Sequence, residues 1–351
     1  MISKIRMSSQ QLLRPQFSSP KEVVSYMGAM QAQEYTMAKW AVGIRLKSPS
    51  LCAIDEALVK GEILRTHVMR PTWHFVAAED IRWMCRLSKE RIRRAFNSYL
   101  VSLKLELSEA LSVRIQDLIV KALEGGNSLT KKEIGQALSR GGVEIDESRA
   151  NLLLGLLEIE GIVCSGVDKG KDFTYALVDE RVPAAPELTK EESLARLATA
   201  YFRSHSPASL NDFVWWSGLS VTEARQAMAL IETELVADRF PEQKLFVHET
   251  CASVRSSKNA LHLLPSYDEY LISYKDRTAV LAPDHHPKAF NSWGIFYPVI
   301  LYDGKIIGNW KKSAAKKALD VAYTFFEGHA CEDSALIEKA VERYKKFYAC
   351  K

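Results

Sequence analysis

At 351 residues and 47% hydrophobic, the chain has the composition of an ordinary globular protein and the length of roughly two or three domains, enough to bury a real core. Its net charge of +4 and pI near 8.6 are mildly basic, short of the pI above about 9 that marks a dedicated nucleic-acid-binding domain, so charge alone does not choose the partner. The cysteines at 52, 85, 164, 251, 331 and 350 include no Cys-x-x-Cys pair and no nearby His at zinc spacing, and no window approaches the roughly 18 apolar residues of a membrane span.

The first segment, residues 1–105, reads as helices followed by a hairpin. A short helix is predicted over Ser9–Leu13, and Ser19-Pro20 supplies an N-cap with proline at the first helical position. Apolar residues then recur at Val23, Met27, Met30, Met37, Ala41 and Ile44, the spacing of a buried helical face. Gln31 and Gln33 lie inside that pattern, and Glu34 falls where the stripe should continue. Either the amides ride the shoulder of a surface helix, or the helix breaks near Gln31–Glu34 and turns polar side chains inward. Residues two apart diverge on a helix but share a side on an extended segment, so joint action of the two glutamines requires the break. Past a Ser48-Pro49 turn and a helix near Cys52–Lys60, the stretch ILRTHVMRPTWHFV (63–76) reads as a hairpin around Met69-Arg70-Pro71. Arg65, His67, Arg70, Thr72, Trp73 and His74 crowd cationic and aromatic groups into it, a mixture suited to phosphate and base contact.

The next helix opens with Glu79 and Asp80, where the helix dipole favours acids, and carries Arg82, Arg86, Lys89, Arg91, Arg93 and Arg94 against Glu90. Such a run is either a solvated face or a phosphate-tracking one. Residues 106–181 read as helix, helix, helix, hairpin. One helix ends at Glu124-Gly125-Gly126, Thr130-x-x-Glu133 is a capping box, Gly141-Gly142 breaks the second helix, and Asp146–Glu160 forms the third with Leu152, Leu153, Leu156 and Leu157 buried. GIVCSGV and DFTYALV then pair around Asp168–Lys171. Arg149 and Asn151 sit early in the third helix, the position from which winged helices reach DNA, although many winged helices bind only protein.

After the proline-punctuated linker at 182–188, residues 182–255 repeat the scheme. Helices are predicted over Lys190–Ser204 and Leu210–Trp216, a third is capped by Ser220-x-x-Glu223, and strands follow near Glu234–Asp238 and Lys244–His248. Of the adjacent Trp215 and Trp216, at least one should pack inside. Residues 256–351 change character: LHLLPSYDEYLISYKDR gathers Tyr267, Asp268, Glu269, Tyr270, Tyr274, Asp276 and Arg277, and a hairpin turns at Asp303-Gly304. Asp284-His285-His286 lies among prolines and reads as a loop rather than a metal site. The alternation at Leu319, Val321, Tyr323 and Phe325 suggests a strand, and Ser334–Tyr348 a closing amphipathic helix. The expected class is therefore α+β, mainly helical with small hairpins and sheets.

Gln31-Ala32-Gln33, LRTHVMRPTWHFVAAEDIRW, LLPSYDEYLISYKDR and IFYPVILYDGKIIGNW, taken in order, resemble the AlkZ-like family of winged-helix DNA glycosylases over almost the whole chain. The resemblance implies three tandem winged helices around a basic concave channel, a hairpin that contacts DNA, and a Gln-apolar-Gln catalytic signature at Gln31 and Gln33. Gln33, where another branch of the family has Asp, is similar to the crosslink-unhooking branch. The expected DNA contacts are Arg65, His67, Arg70, Thr72, Trp73, His74, Arg91, Arg94, Tyr267, Asp268, Tyr270, Arg277 and Lys311.

A glutamine does not titrate near neutral pH, so neither amide is a general base. A base alkylated at a ring nitrogen already carries positive charge and departs without protonation, so amides suffice if they orient a water and turn carbonyl dipoles toward an oxocarbenium-like sugar. The expected substrates are cationic N-alkylpurines, chiefly N7-alkylguanine or related crosslinks in double-stranded DNA, with poor action on uracil. Glu34 is either an extra carboxylate at the site or a structural residue, and the structural reading is preferred. The alternatives are a non-enzymatic winged-helix regulator and a protein-interaction scaffold. The N-terminal MISKIRMSSQQLLR lacks a signal-like apolar run, and the expectation is a cytoplasmic monomer with reduced thiols, no metal and no cofactor.

Overall fold

Helix α1 spans Ile2–Ser9 in the computed structural model, which describes residues 1–102, 108–240, 242–251, 259–315, 318–331 and 333–349. The expected boundaries at 105/106 and 255/256, and Cys350, lie outside the described residues. The helix predicted over Ser9–Leu13 is displaced toward the N-terminus. The chain leaves α1 at Gln10, and Gln11 takes a φ of 60°. What holds α1 is tertiary: Arg6 is buried, donates to the Pro207 carbonyl at 3.1 Å and lies 3.6 Å from the Tyr274 ring centre. Helix α2 (Pro20–Met27) starts as predicted, with Ser19 and Glu22 exchanging backbone and side-chain hydrogen bonds. The extended pair β1 (Met30–Gln31), helix α3 (Tyr35–Gly43) and helix α4 (Leu51–Val59) follow, so the long apolar stripe is two helices and a break.

Strands β2 (Ile63–His67) and β3 (Trp73–Ala77) form the predicted antiparallel hairpin, with Arg65 opposite Phe75, and lead into α5 (Ala78–Ser102). Next come α6 (Glu109–Leu123), β4 (Leu129–Thr130), α7 (Lys131–Arg140), α8 (Glu147–Ile159), β5 (Val163–Ser165), β6 (Thr174–Leu177) and the short α9 (Val178–Arg181). The strands order as β4-β6-β5, and the Thr130–Glu133 capping box opens α7. Ile115, Ile119, Leu123, Ile134, Leu138, Leu153, Leu154 and Leu157 close one core, each full burial contributing about 1.5–3 kcal/mol.

The chain continues through α10 (Lys190–His205), α11 (Leu210–Ser217), α12 (Val221–Leu230), β7 (Leu235–Phe240) and β8 (Leu245–His248). It ends with β9 (Leu261–Leu264), α13 (Glu269–Ile272), α14 (His286–Ala289), β10 (Val299–Tyr302), β11 (Lys305–Ala315), β12 (Ala318–Phe325) and α15 (Ser334–Ala349). The last four strands form an antiparallel sheet in the order β12-β11-β10-β9. Trp40 of α3 donates its indole N–H to the Leu263 carbonyl and Trp310 donates to that of Leu264, both at 2.7 Å, and Tyr344 of α15 meets both indole rings. Asp284-His285-His286 opens α14, and among the described residues no group of His, Cys, Asp or Glu is placed to hold a metal ion. No helix among them is long and apolar enough to cross a membrane.

Two compact units result, Met1–Asp55 with Leu194–Lys351, and Glu56–Ser193. The first of the four expected segments is thus divided. Its N-terminal helices join the C-terminal half of the chain, because the polar and aromatic partners of α1, α2 and α3 lie there.

Candidate active site

The break that presents the glutamines begins at Gly28, whose φ of 79° ends α2. A Cβ there would lie 3.1 Å from that of Ala200, so both conformation and space call for glycine. Ala29, Met30 and Ala32 are fully buried, which drags the extended segment into the core. Gln31 is only 5% exposed, whereas Gln33, at the bend, is open to solvent. The chain re-enters a helix at Tyr35 because Glu34 caps it, its carboxylate accepting from the Met37 N–H at 2.8 Å. Glu34 is therefore an N-cap, as the structural reading expects.

Gln31 is held from behind by a carboxylate that the motif does not contain. Its backbone N–H donates to Glu269 Oε1 at 2.6 Å, and the other carboxylate oxygen accepts from the Trp216 indole at 3.2 Å and from the Ser273 hydroxyl. His205 Nε2 faces the same oxygen at 3.7 Å. Burial alone pushes the Glu269 carboxyl up, but His205, the Ser273 hydroxyl and the Gln31 amide outweigh it and hold the group below its ordinary range. Burial pushes His205 down, against the pull of Glu269. The main chain of this hub is fixed as well. Gln10 donates to the Glu269 carbonyl at 3.3 Å and accepts from Arg45, which grips both oxygens of Asp268 at 2.9 Å. Chemically, the arrangement offers a buried glutamine whose main chain is held in place, a solvent-facing amide two residues on, and a buried negative charge one hydrogen bond from the Gln31 backbone.

Asp268, Tyr270 and Arg277, expected at the DNA surface, are buried. Asp268 answers Arg45; the Tyr270 hydroxyl lies 3.0 Å from the Gly304 carbonyl; and Arg277 donates to the Leu271 carbonyl at 2.8 Å. They hold the framework rather than face solvent. Tyr267 is half-buried with a φ of 57°, and Lys311 is exposed on β11. Glu269, His205, Ser273, Trp216, Arg45 and Gln10 were missed as site-forming residues. The one available signal was an acid pair among the aromatics Tyr267, Tyr270 and Tyr274.

In the other unit, His67 and His74 are also buried, His67 against Glu158 and His74 against the Thr72 carbonyl at 2.9 Å. Arg65 lies over the rings of Trp73 and Phe173 at 4.3 and 5.0 Å; Arg70, Thr72 and Trp73 are half-exposed. On α5, Arg82 pairs with Asp179 at 2.7 Å and Arg86 with Glu187 at 2.8 Å, while Lys89 and Arg93 share Glu160. The 182–188 linker is a strap along α5, tied by Glu187 and by the Val182 carbonyl to Arg82. Arg94 remains exposed and Arg91 half-exposed.

A family model described as DNA glycosylase AlkZ-like matches residues 24–347. The chain belongs to the AlkZ-like DNA glycosylase family. It is 24% identical over 321 residues to an interstrand DNA cross-link repair glycosylase of Streptomyces sahachiroi, covering 86% of this chain and 84% of that one. The solved structure of the Streptomyces sahachiroi DNA glycosylase AlkZ has the same fold, with a TM-score of 0.78 at 20% identity over 99% of this chain and 96% of the other. In this AlkZ-like chain the break between α2 and α3, with its two glutamines, falls inside the matched region.

Proposed function

We propose that this AlkZ-like glycosylase hydrolyses the N-glycosidic bond of cationic N-alkylpurines in double-stranded DNA, chiefly N7-alkylguanine, as monoadducts or crosslinks. The observation that carries the reading is the Gly28-to-Glu34 break, which removes Gln31 and Gln33 from the helix and ties the backbone of the first to Glu269. The alkylated base leaves with the glycosidic electron pair, which neutralises its own charge, so no acid is required. Gln33 orients the attacking water, and Gln31, with the Glu269 charge behind it, stabilises the cationic sugar. Water adds to the anomeric carbon and loses a proton to solvent, leaving an abasic site. The similarity to the interstrand DNA cross-link repair glycosylase of Streptomyces sahachiroi supports crosslinks as part of the substrate class.

The helix–hairpin segments read as tandem winged helices, and the chain acts as a monomer. Arg65, Arg70, Arg91, Arg94 and Lys311 supply phosphate contacts, while Thr72 and Trp73 meet the sugar and base edges. The test is release of base from labelled duplex containing N7-methylguanine. The wild type is expected to release it and to leave a uracil-containing duplex intact, and Gln31→Ala/Gln33→Ala to be slower by about a hundredfold or more. Release by neither protein removes the enzyme reading, and equal release by both removes the site.

A further inference from the structure

Trp293 is 87% exposed, the most exposed large hydrophobic residue among the described ones, and it sits on a hydrogen-bonded turn. Asn291 Oδ1 accepts from the N–H groups of Trp293 and Ile295, each at 3.0 Å, and Gly294 takes a φ of 79° to close the turn. Below it Phe290 and Phe296 stack with centres 5.1 Å apart, and the Arg277 guanidinium lies over both rings at 4.8 and 5.1 Å. Ile295 and Tyr297 of the same short stretch are exposed as well, so the indole is not the only apolar side chain the turn offers to solvent.

Its place in the unit says what meets it. Phe296 lies 6.2 Å from the Tyr267 ring, and Tyr267 is two residues from Glu269, the anchor of Gln31. Burial, then the nearby charges of Glu34 and Tyr297, raises the Tyr267 hydroxyl. A flat, uncharged group on a turn whose Phe296 packs against Tyr267, two residues from the anchor of Gln31, suits a nucleobase face, and such stacking needs no phosphate partner.

We infer that Trp293 is a base-stacking residue that enters the duplex next to the damaged nucleotide and takes the place of a neighbouring base in the stack. The inference rests on the glycosylase reading of this site. It is tested with the full chain and a duplex carrying 2-aminopurine beside a single N7-methylguanine. Wild-type binding is expected to change the 2-aminopurine fluorescence. Trp293→Ala should lose that change and bind about ten- to a hundredfold more weakly with the same salt slope, and Trp293→Phe should recover most of both. The exposure of the indole keeps the fold out of the comparison. Trp293→Ala with wild-type affinity and fluorescence overturns the stacking role while leaving base release to stand. A Trp293-dependent fluorescence change with no base released by the wild type supports stacking and removes the glycosylase reading. Loss of binding to phosphatidylglycerol vesicles, with DNA binding unchanged, assigns the tip to a lipid surface and overturns the inference.

Discussion

Gln31 and Gln33 differ in what the surroundings do to them: the first is clamped by its backbone in the core and the second is open to water at the bend. Between them they lack a charge, and the nearby buried charge belongs to Glu269. Replacing it with glutamine keeps the shape but removes a charged acceptor from the Gln31 amide, the Trp216 indole and the Ser273 hydroxyl. Glu269→Gln is therefore expected to lower single-turnover base release by about tenfold or more while leaving DNA affinity near wild type. Thermal unfolding should register a loss of about 3 kcal/mol, the worth of a strong charge-assisted hydrogen bond. Unchanged release would make Glu269 a stability residue alone.

At the scale of elements, α5 shows why a run of cations is a poor guide to a binding face. The acids that answer Arg82, Arg86, Lys89 and Arg93 come from Asp179, Glu187 and Glu160, which are distant in sequence and brought to the helix by α8, α9 and the linker. Exposed pairs of this kind are worth only about 0–1 kcal/mol to stability, but they quench the charge available to phosphate. Arg94→Ala, at an exposed position of α5, is thus expected to weaken binding evenly across sequences and to reduce the salt slope by about 1. Arg82→Ala/Arg86→Ala should leave that slope nearly unaltered. Filter binding at a series of salt concentrations separates the two, and equal effects would show that the pairing does not matter.

For the whole molecule, the buried His262 and His205 contribute to the response to acid. Burial, reinforced by the charges of Arg343 and Arg45, pushes His262 down to about 3, and burial also lowers His205. An unfolded histidine titrates near 6.5, so between that value and about 3 the unfolded chain binds a proton at position 262 that the folded chain refuses. Unfolding is therefore favoured as pH falls: stability is full above about pH 6.5 and declines below it by up to about 1.4 kcal/mol per pH unit for His262. His262→Gln is expected to flatten this decline in denaturant titrations between pH 6 and 4, and an unchanged slope would assign it to other groups.

The helix starts at Ser19, Thr130 and Ser220, the β2–β3 hairpin, and the need for a break around Gln31 were all legible in the chain, because capping, alternation and helical periodicity act between residues a few positions apart. The resemblance to the AlkZ-like family was legible for a similar reason: its motifs are short and local. The division into two units and the burial of Asp268, Tyr270, Arg277, His67 and His74 were not, nor was the choice of Glu269 to hold Gln31. Whether a polar side chain meets solvent or a buried partner depends on which remote segment folds against it. Arg45 and Asp268, separated by 223 positions, carry no mark of each other until the core closes around them.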